Sequence, residues 1–349
     1  MPARGTLVPS EPVPSGQQPS TGPLLVRTRD ELAQALADRP GPRAVVMTMG
    51  ALHQGHLDLV RQAVQRVGTH GTVVVTIFVN PLQFAAGEDL ETYPRDLGGD
   101  LARLEEALGG TGGSEAAVSE AGGRSSTGAD RLVVFAPTQQ EVYPGGQPQV
   151  RIDPGPVGRV LEGRTRPTHF AGVCQVVLTL LHLTAPRWAL FGRKDAQQLA
   201  VVRAMVRDLA VPVEVVAVDT RREADGLAMS SRNAYLSPEE RRQALALSQA
   251  LTAGREAAAA GARPQEVREA ALRVLERAPG ARVDYVALVE PDTFVDLAGV
   301  GLGLVPRAPG GRLGQVNEVS RRQGLLAVAA WVGATRLIDN TILELAARD

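Results

Sequence analysis

Short runs of β-branched and aliphatic residues recur along the chain, at Ala44–Met47, Thr72–Val79, Leu132–Phe135, Trp188–Phe191 and Val213–Val218. Between them apolar positions return at three- and four-residue steps, most clearly over His56–Val67, Leu97–Leu108, Val173–Leu183 and Ala196–Leu209. Near-continuous apolar strands suit a sheet buried on both faces, and their alternation with helices predicts a doubly wound parallel α/β domain. In such a domain ligands bind beyond the carboxyl ends of the strands. From about Thr220 the pattern changes to a turn-rich segment, Ala-rich helices near Pro238–Gly254 and Pro264–Arg277, and short strands at Val283–Val289 and Leu325–Trp331. This predicts a smaller C-terminal α+β domain over 220–349, after an α/β domain over 23–219. Residues 1–22, rich in Pro, Ser, Gly and Gln, read as a disordered leader without a secretory apolar core. Gly109–Asp130 and Val305–Gln323 read as flexible insertions that carry no chemistry.

Composition narrows the classes. With 349 residues, 44% of them hydrophobic, the chain can bury a substantial core. Its 37 basic and 38 acidic residues create no bulk positive field, so neither nucleic acid nor an anionic membrane is an expected partner. The longest apolar stretch, Val173–Ala185, is interrupted by Gln175 and His182 and is too short to cross a bilayer. One cysteine, Cys174, excludes an internal disulfide and a multi-cysteine metal site; it reads as a small buried apolar residue and fits the cytoplasm. Lys194 is the single lysine among the 37 basic residues. Where arginine serves almost every other positive position, this lysine marks a site that needs a compact, rotatable ammonium.

Four loops carry candidate chemistry. Met49-Gly50-Ala51-Leu52-His53-Gln54-Gly55-His56 follows a strand and opens a helix, as a phosphate-binding turn would. Its two imidazoles could donate hydrogen bonds or a proton to a bound anion; an ordinary strand–loop–helix turn with two exposed histidines is the simpler alternative. Zinc would need a third ligand, and His70, His169 and His182 form no group with them; His182 reads as structural and His169 as a capping or packing residue. Gly192-Arg193-Lys194-Asp195 stands at the next such junction, with Asp195 also readable as an N-cap. Asp225–Asn233 contains Met229-Ser230-Ser231-Arg232, suited to gripping a polyphosphate but also ordinary loop vocabulary. The fourth, Asn80-Pro81-Leu82-Gln83, presents two amides at a strand end. The three anion-suited loops converge on a nucleoside triphosphate, yet G-x-x-x-x-G-K-[ST] and G-x-G-x-x-G are both absent. Nucleotidyl transfer therefore fits better than kinase or dehydrogenase chemistry.

Taken with Tyr93-Pro94-Arg95, Leu161-Glu162-Gly163, His169-Phe170, Gln198 and Gly333–Asn340, these motifs resemble, in order from about Leu24 to Leu345, the ATP-dependent pantoate–β-alanine ligases. The resemblance implies a Rossmann-like nucleotidyltransferase domain, a small lid-bearing domain and a homodimer. It further implies Mg²⁺ with ATP, a pantoyl-adenylate intermediate, and release of AMP and pyrophosphate. Carried onto this chain, Met49–His56, Gly192–Asp195, Arg221 and Met229–Arg232 would bind ATP, with His56, His53 and Lys194 catalytic. Asn80, Gln83 and Gln198 would hold pantoate, Gln83 also meeting β-alanine; the metal ligands are not identified. Met47, Gln54, Arg193 and Arg221 depart from the family's usual residues. A cytidylyltransferase, an aminoacyl-tRNA synthetase relative and a non-catalytic nucleotide-binding protein are the competing readings. The first needs no β-alanine, the second needs a basic RNA-binding surface, and the third needs no pantoate-holding amides.

Overall fold

The computed structural model describes residues 22–85, 87–88, 90–109, 131–299, 301, 304 and 322–346. The leader apart from Gly22, the Gly109–Asp130 insertion beyond its first residue and residues 305–321 of the Val305–Gln323 stretch lie outside the described residues. Gly109 ends a helix and Gln323 belongs to a strand, so both insertions are shorter than their sequence bounds.

Six strands form one sheet in the order β1 (Leu24–Val26), β4 (Leu132–Phe135), β3 (Thr72–Ile77), β2 (Arg43–Thr48), β5 (Trp188–Gly192), β6 (Glu214–Val218), with every pair parallel. Alternation decides what each face meets. On β2, Val45 enters the core shared with α1 (Arg29–Ala37), α6 (His169–Thr184) and α7 (Ala196–Asp208), while Ala44 and Val46 enter the core shared with α2 (Gln54–Val67) and α3 (Leu97–Gly109). Both faces are dry, which is why the strands lack polar alternation. The chain winds from β2 through β3 to β4 in one direction and then restarts at β5 on the other side of β2. The carboxyl ends of β2 and β5 therefore flank the switch-point crevice where ligands of open α/β sheets sit.

The C-terminal part packs α8 (Pro238–Ala259) and α9 (Pro264–Arg277) on an antiparallel sheet of β7 (Ala281–Val289), β8 (Arg322–Val332) and β9 (Thr335–Leu345). Its other face is also covered. Tyr285, Ala287, Val289, Leu325, Ala327 and Ala329 join one cluster with Val160, Leu161 and Ala200 of the first part. Two short helices, α4 (Gln139–Val142) and α5 (Glu162–Thr165), lie in the connections of the first part.

Five of the labelled elements were not expected from the apolar pattern: β1, α1, β9 and the four-residue helices α4 and α5. β1 is a three-residue edge, and β9 is interrupted by Arg336, Asp339 and Asn340, which serve contacts outside the core. β3 ends at Ile77 rather than Val79 because Phe78–Asn80 lead into a 3₁₀ turn opened by Pro81, whose nitrogen cannot join a ladder. α6 begins at His169, earlier than its apolar run. On it Cys174 is fully buried, its thiol pushed up to about 12 by burial. His182, expected as structural, lies exposed with Nδ1 at 2.8 Å from the Leu178 carbonyl. No helix among the described residues is long and apolar enough to cross a membrane.

Candidate active site

The loop after β2 turns sharply through Gly50 (φ 84°) and Ala51 (φ 50°), both in the left-handed region. It is held from α3. Asp100, 1% exposed, accepts hydrogen bonds from the backbone N–H of Ala51 (3.0 Å) and Leu52 (2.7 Å). α2 then starts with an unusual cap in which the two histidines take the places of the usual hydroxyl and carboxylate. The Gly55 N–H donates to His53 Nδ1 (3.2 Å) and the His53 N–H donates to His56 Nδ1 (3.3 Å), leaving the ring centroids 4.1 Å apart. Burial, then the neighbouring His53, lowers the His56 pKa to about 3; burial, then Lys194, lowers that of His53. Both rings are neutral at pH 7, and because each Nδ1 accepts, each proton sits on Nε2, free to donate.

After β3, Asn80 is fully buried. Its amide donates to Gln83 Oε1 and to the Gly172 carbonyl, each at 3.0 Å, and its oxygen accepts from the Tyr143 hydroxyl at 3.0 Å. Asn80 thus fixes Gln83 from behind and does not itself line a cavity. The close crossing of α6 over this turn requires glycine, since a Cβ on Gly172 would lie 2.2 Å from the Leu82 carbonyl oxygen. The Gln83 carbonyl is held on the other side by Arg166 Nη2 (3.2 Å) and His169 Nδ1 (3.1 Å), with Arg166 paired to Glu88 at 2.5 Å. Burial, then Arg166, lowers the His169 pKa to about 4, so this ring too is neutral at pH 7. Of the two roles expected for His169 it takes packing: its ring meets that of Phe170 with centroids 5.0 Å apart, while Thr168 holds the N-cap position of α6 without a side-chain capping bond.

After β5, Gly192 leads into a 3₁₀ turn over Arg193–Asp195 and then into α7. Lys194 Nζ lies 3.5 Å from Asp195 Oδ1, and Arg193 turns outward to Asp219 (3.0 Å). Asp195 is the N-cap residue of α7 but makes no capping hydrogen bond. After β6, the Met229 N–H donates to the Arg221 carbonyl (2.9 Å) and the Arg232 N–H to Ser230 Oγ (3.3 Å), while the Arg221 guanidinium reaches Asp58 at 3.5 Å.

These loops enclose a cavity of about 250 Å³ bordered by Met49, His53, Gly55, His56, Gln83, Gly192, Lys194, Asp195, Gln198, Arg221 and Met229–Arg232. Of the residues expected from sequence, Gly50, Ala51, Leu52, Gln54, Arg193 and Asn80 are not on its wall. Sequence reasoning missed Asp100, Arg166 and Glu88; a buried aspartate on an amphipathic helix is visible as Asp100 beside Leu101 and Leu104, but its target is not. A second cavity, about 580 Å³, opens between the small sheet and the connections of the first part and meets the first at Arg166, His169, Lys194, Asp195, Gln198, Ser230 and Arg232. Among the described residues no three His, Cys, Asp or Glu side chains are grouped as a metal site. The arrangement offers neutral imidazole donors, a rotatable ammonium and backbone-anchored amides around one space, suited to an anion that gains charge beside a polar substrate.

The model of the pantoate-beta-alanine ligase family matches residues 25–342. The chain is 47% identical to a pantothenate synthetase of Streptomyces coelicolor over 93% of this chain and 96% of that protein. It is 48% identical to one of Nocardioides sp. over 94% and 88%. Among solved structures it is similar to pantothenate synthetase from Thermus thermophilus, with TM-score 0.71 and 43% identity over 91% of this chain and 98% of that one. It is also similar to a Francisella tularensis pantoate-beta-alanine ligase complexed with beta-gamma ATP and beta-alanine, with TM-score 0.66 and 25% identity over 94% and 100%.

Proposed function

The chain belongs to the pantoate–β-alanine ligase family, and from that premise we propose that the switch-point cavity joins pantoate to β-alanine through a pantoyl adenylate. One observation carries this reading. Loops from β2, β3, β5 and β6, each with a different donor type, meet around a single space at the crevice. In the first step a pantoate carboxylate oxygen attacks the α-phosphorus of ATP and pyrophosphate departs with the electrons of the broken P–O bond. In the second the β-alanine amine attacks the acyl carbon, AMP departs, and the amine gives up a proton.

The protein's part is placement and fixed charge, since in-line attack at phosphorus asks little covalent work of side chains. His53 and His56 donate from Nε2 to phosphate oxygens. As neutral rings they act as hydrogen-bond donors in place of the proton source that their spacing also allowed. Lys194 meets the phosphate charge with a compact ammonium. Gln83 and Gln198 hold pantoate, with Asn80 acting through Gln83, and Gln83 also faces incoming β-alanine. Gly192, Asp195, Arg221 and Met229–Arg232 border the nucleotide. Gly50–Leu52 contribute by shaping the loop, as their amides are engaged by Asp100 or turned into the bend. Mg²⁺ bound with ATP would neutralise charge on the phosphates; among the described residues no group of three His, Cys, Asp or Glu side chains is placed to hold it, in keeping with its preference for few protein ligands.

The same reading extends to the cytoplasm, expected from the single cysteine and the lack of a membrane-length apolar run, and to a homodimer, an expectation carried over from the family and testable by sedimentation. The function itself is tested by AMP formation from ATP and Mg²⁺ with pantoate plus β-alanine against each alone. Release that needs both supports it. If AMP stays absent, pantoate-dependent exchange of pyrophosphate into ATP separates a changed amine acceptor from a lost first step.

A further inference from the structure

We propose that Asn340, on β9 of the small sheet, is a positioning residue that holds the Lys194 turn in its working shape from across the junction between the two parts. The inference rests on the reading that Lys194 acts on the phosphates. Asn340 is 8% exposed, and its side-chain amide donates to two consecutive backbone carbonyls, Arg193 at 3.0 Å and Lys194 at 2.7 Å. Both hydrogens of that amide are thereby used on the turn that carries the lysine.

Among the described residues nothing comparable comes from the turn's own part of the molecule. Neither Gly192 nor Asp195, the residues at the N-cap positions of the 3₁₀ turn and of α7, supplies a side-chain capping hydrogen bond. The brace is instead tied to the opposite loop. The Asn340 N–H donates to Asp339 Oδ1 (2.8 Å), and Asp339, 3% exposed, receives a two-pronged Arg222 guanidinium at 2.6 and 3.0 Å. Arg222 bridges to Ala228 in the segment that delivers Met229–Arg232 to the cavity. One short run of β9 thus connects the two loops on either side of the nucleotide space. The chemistry requires two N–H donors, which the asparagine amide supplies on a short neutral side chain: aspartate would set a negative charge against two carbonyl oxygens, serine has one donor, and an aliphatic residue has none.

The test compares wild type with Asn340→Ala and Asn340→Asp in pantoate-dependent exchange of pyrophosphate into ATP, with melting temperature as a folding control. Loss of two neutral hydrogen bonds that position Lys194 should lower kcat roughly tenfold or more. The fall should exceed any change in pantoate KM, and Asn340→Asp should be lower still. In a Lys194→Ala background, Asn340→Ala should add less than about twofold, because residues acting through one another are non-additive. Hydrogen exchange over residues 191–199 should quicken in Asn340→Ala while β2 stays protected; where Lys194→Ala alone falls below detection, this measurement decides. Wild-type kcat in folded Asn340→Ala, an undiminished extra loss in the Lys194→Ala background, or unchanged exchange over 191–199 would each overturn the proposal. A Lys194→Ala enzyme as fast as wild type would instead defeat the reading on which it rests.

Discussion

The two loops flanking the crevice are built on opposite plans. The β2–α2 loop is held from within its own part of the molecule, by Asp100 beneath its amides and by the paired histidines that cap α2. The β5–α7 turn takes its side-chain support from β9, through Asn340. The imidazole half of the site should therefore form wherever the parallel sheet forms, while the lysine half needs the small sheet in place.

Arg336 offers the largest test of that contrast. It makes a two-pronged bond to Glu162 at 2.6 and 2.7 Å and pairs with Asp284 at 2.7 Å, so it ties β9 to the first part in a nearly buried network. Arg336→Ala leaves the buried Glu162 carboxylate without its opposite charge, with the Tyr285 hydroxyl still donating to it at 2.9 Å, and should cost about 3–5 kcal/mol in chemical denaturation. A Glu162→Gln/Arg336→Met double variant should recover part of that loss. Recovery of nothing would place the energy elsewhere in the junction.

Lys194→Arg comes next. Although it keeps the charge, exchanging a rotatable ammonium for a planar fork should lower kcat about 10²-fold, with the melting temperature nearly unchanged. Near-wild-type turnover would remove the argument from the single lysine. Asp100→Asn should act on the other loop. One of its two N–H partners would then face an amide nitrogen, costing about 1–3 kcal/mol of stability. It should raise the KM for ATP and combine additively with Asn340→Ala, since the two braces share no partner. Strong coupling between them would erase the contrast drawn above.

Just below neutral pH the smallest effect is a pH dependence, which grows as the pH falls. His56 and His169 have folded pKa values lowered to about 3 and about 4 from an unfolded value near 6.5. Between those limits the unfolded chain binds protons that the folded chain refuses, so stability is full above about pH 6.5 and falls as the pH drops toward 3. Thermal melts across this range should show a gentler slope in His169→Asn. An unchanged slope would mean that His169 is not buried neutral.

Much of this was legible in the sequence, for identifiable reasons. Strands buried on both faces have no polar alternation, and four of the five expected for the first sheet lie within a residue or so of their observed bounds. The loops that follow them stood out because glycine, histidine and a solitary lysine are conspicuous residues. What escaped was of two kinds. α1 carried a readable signal, the capping box in which Thr28 accepts from the Glu31 N–H and the Glu31 carboxylate accepts from the Thr28 N–H. For Asp100 and Asn340 the partners did not show, because they are backbone atoms distant in sequence and a backbone carbonyl or N–H has no letter of its own; Arg166 meets the distant Gln83 carbonyl and the Glu88 carboxylate, a pairing that no local spacing marks. Arg193, which the motif made conspicuous, turns away to Asp219 and leaves the cavity to its neighbour.

The solitary Lys194 also makes the molecule a natural reporter. Its side chain is 21% exposed, at the boundary shared by the two cavities. An amine-directed dye has that one side-chain target besides the chain's N-terminal amine, so no lysine substitutions are needed to direct a fluorophore or photocrosslinker to the junction. Protection of that amine then gives a direct readout of when the space around it is filled.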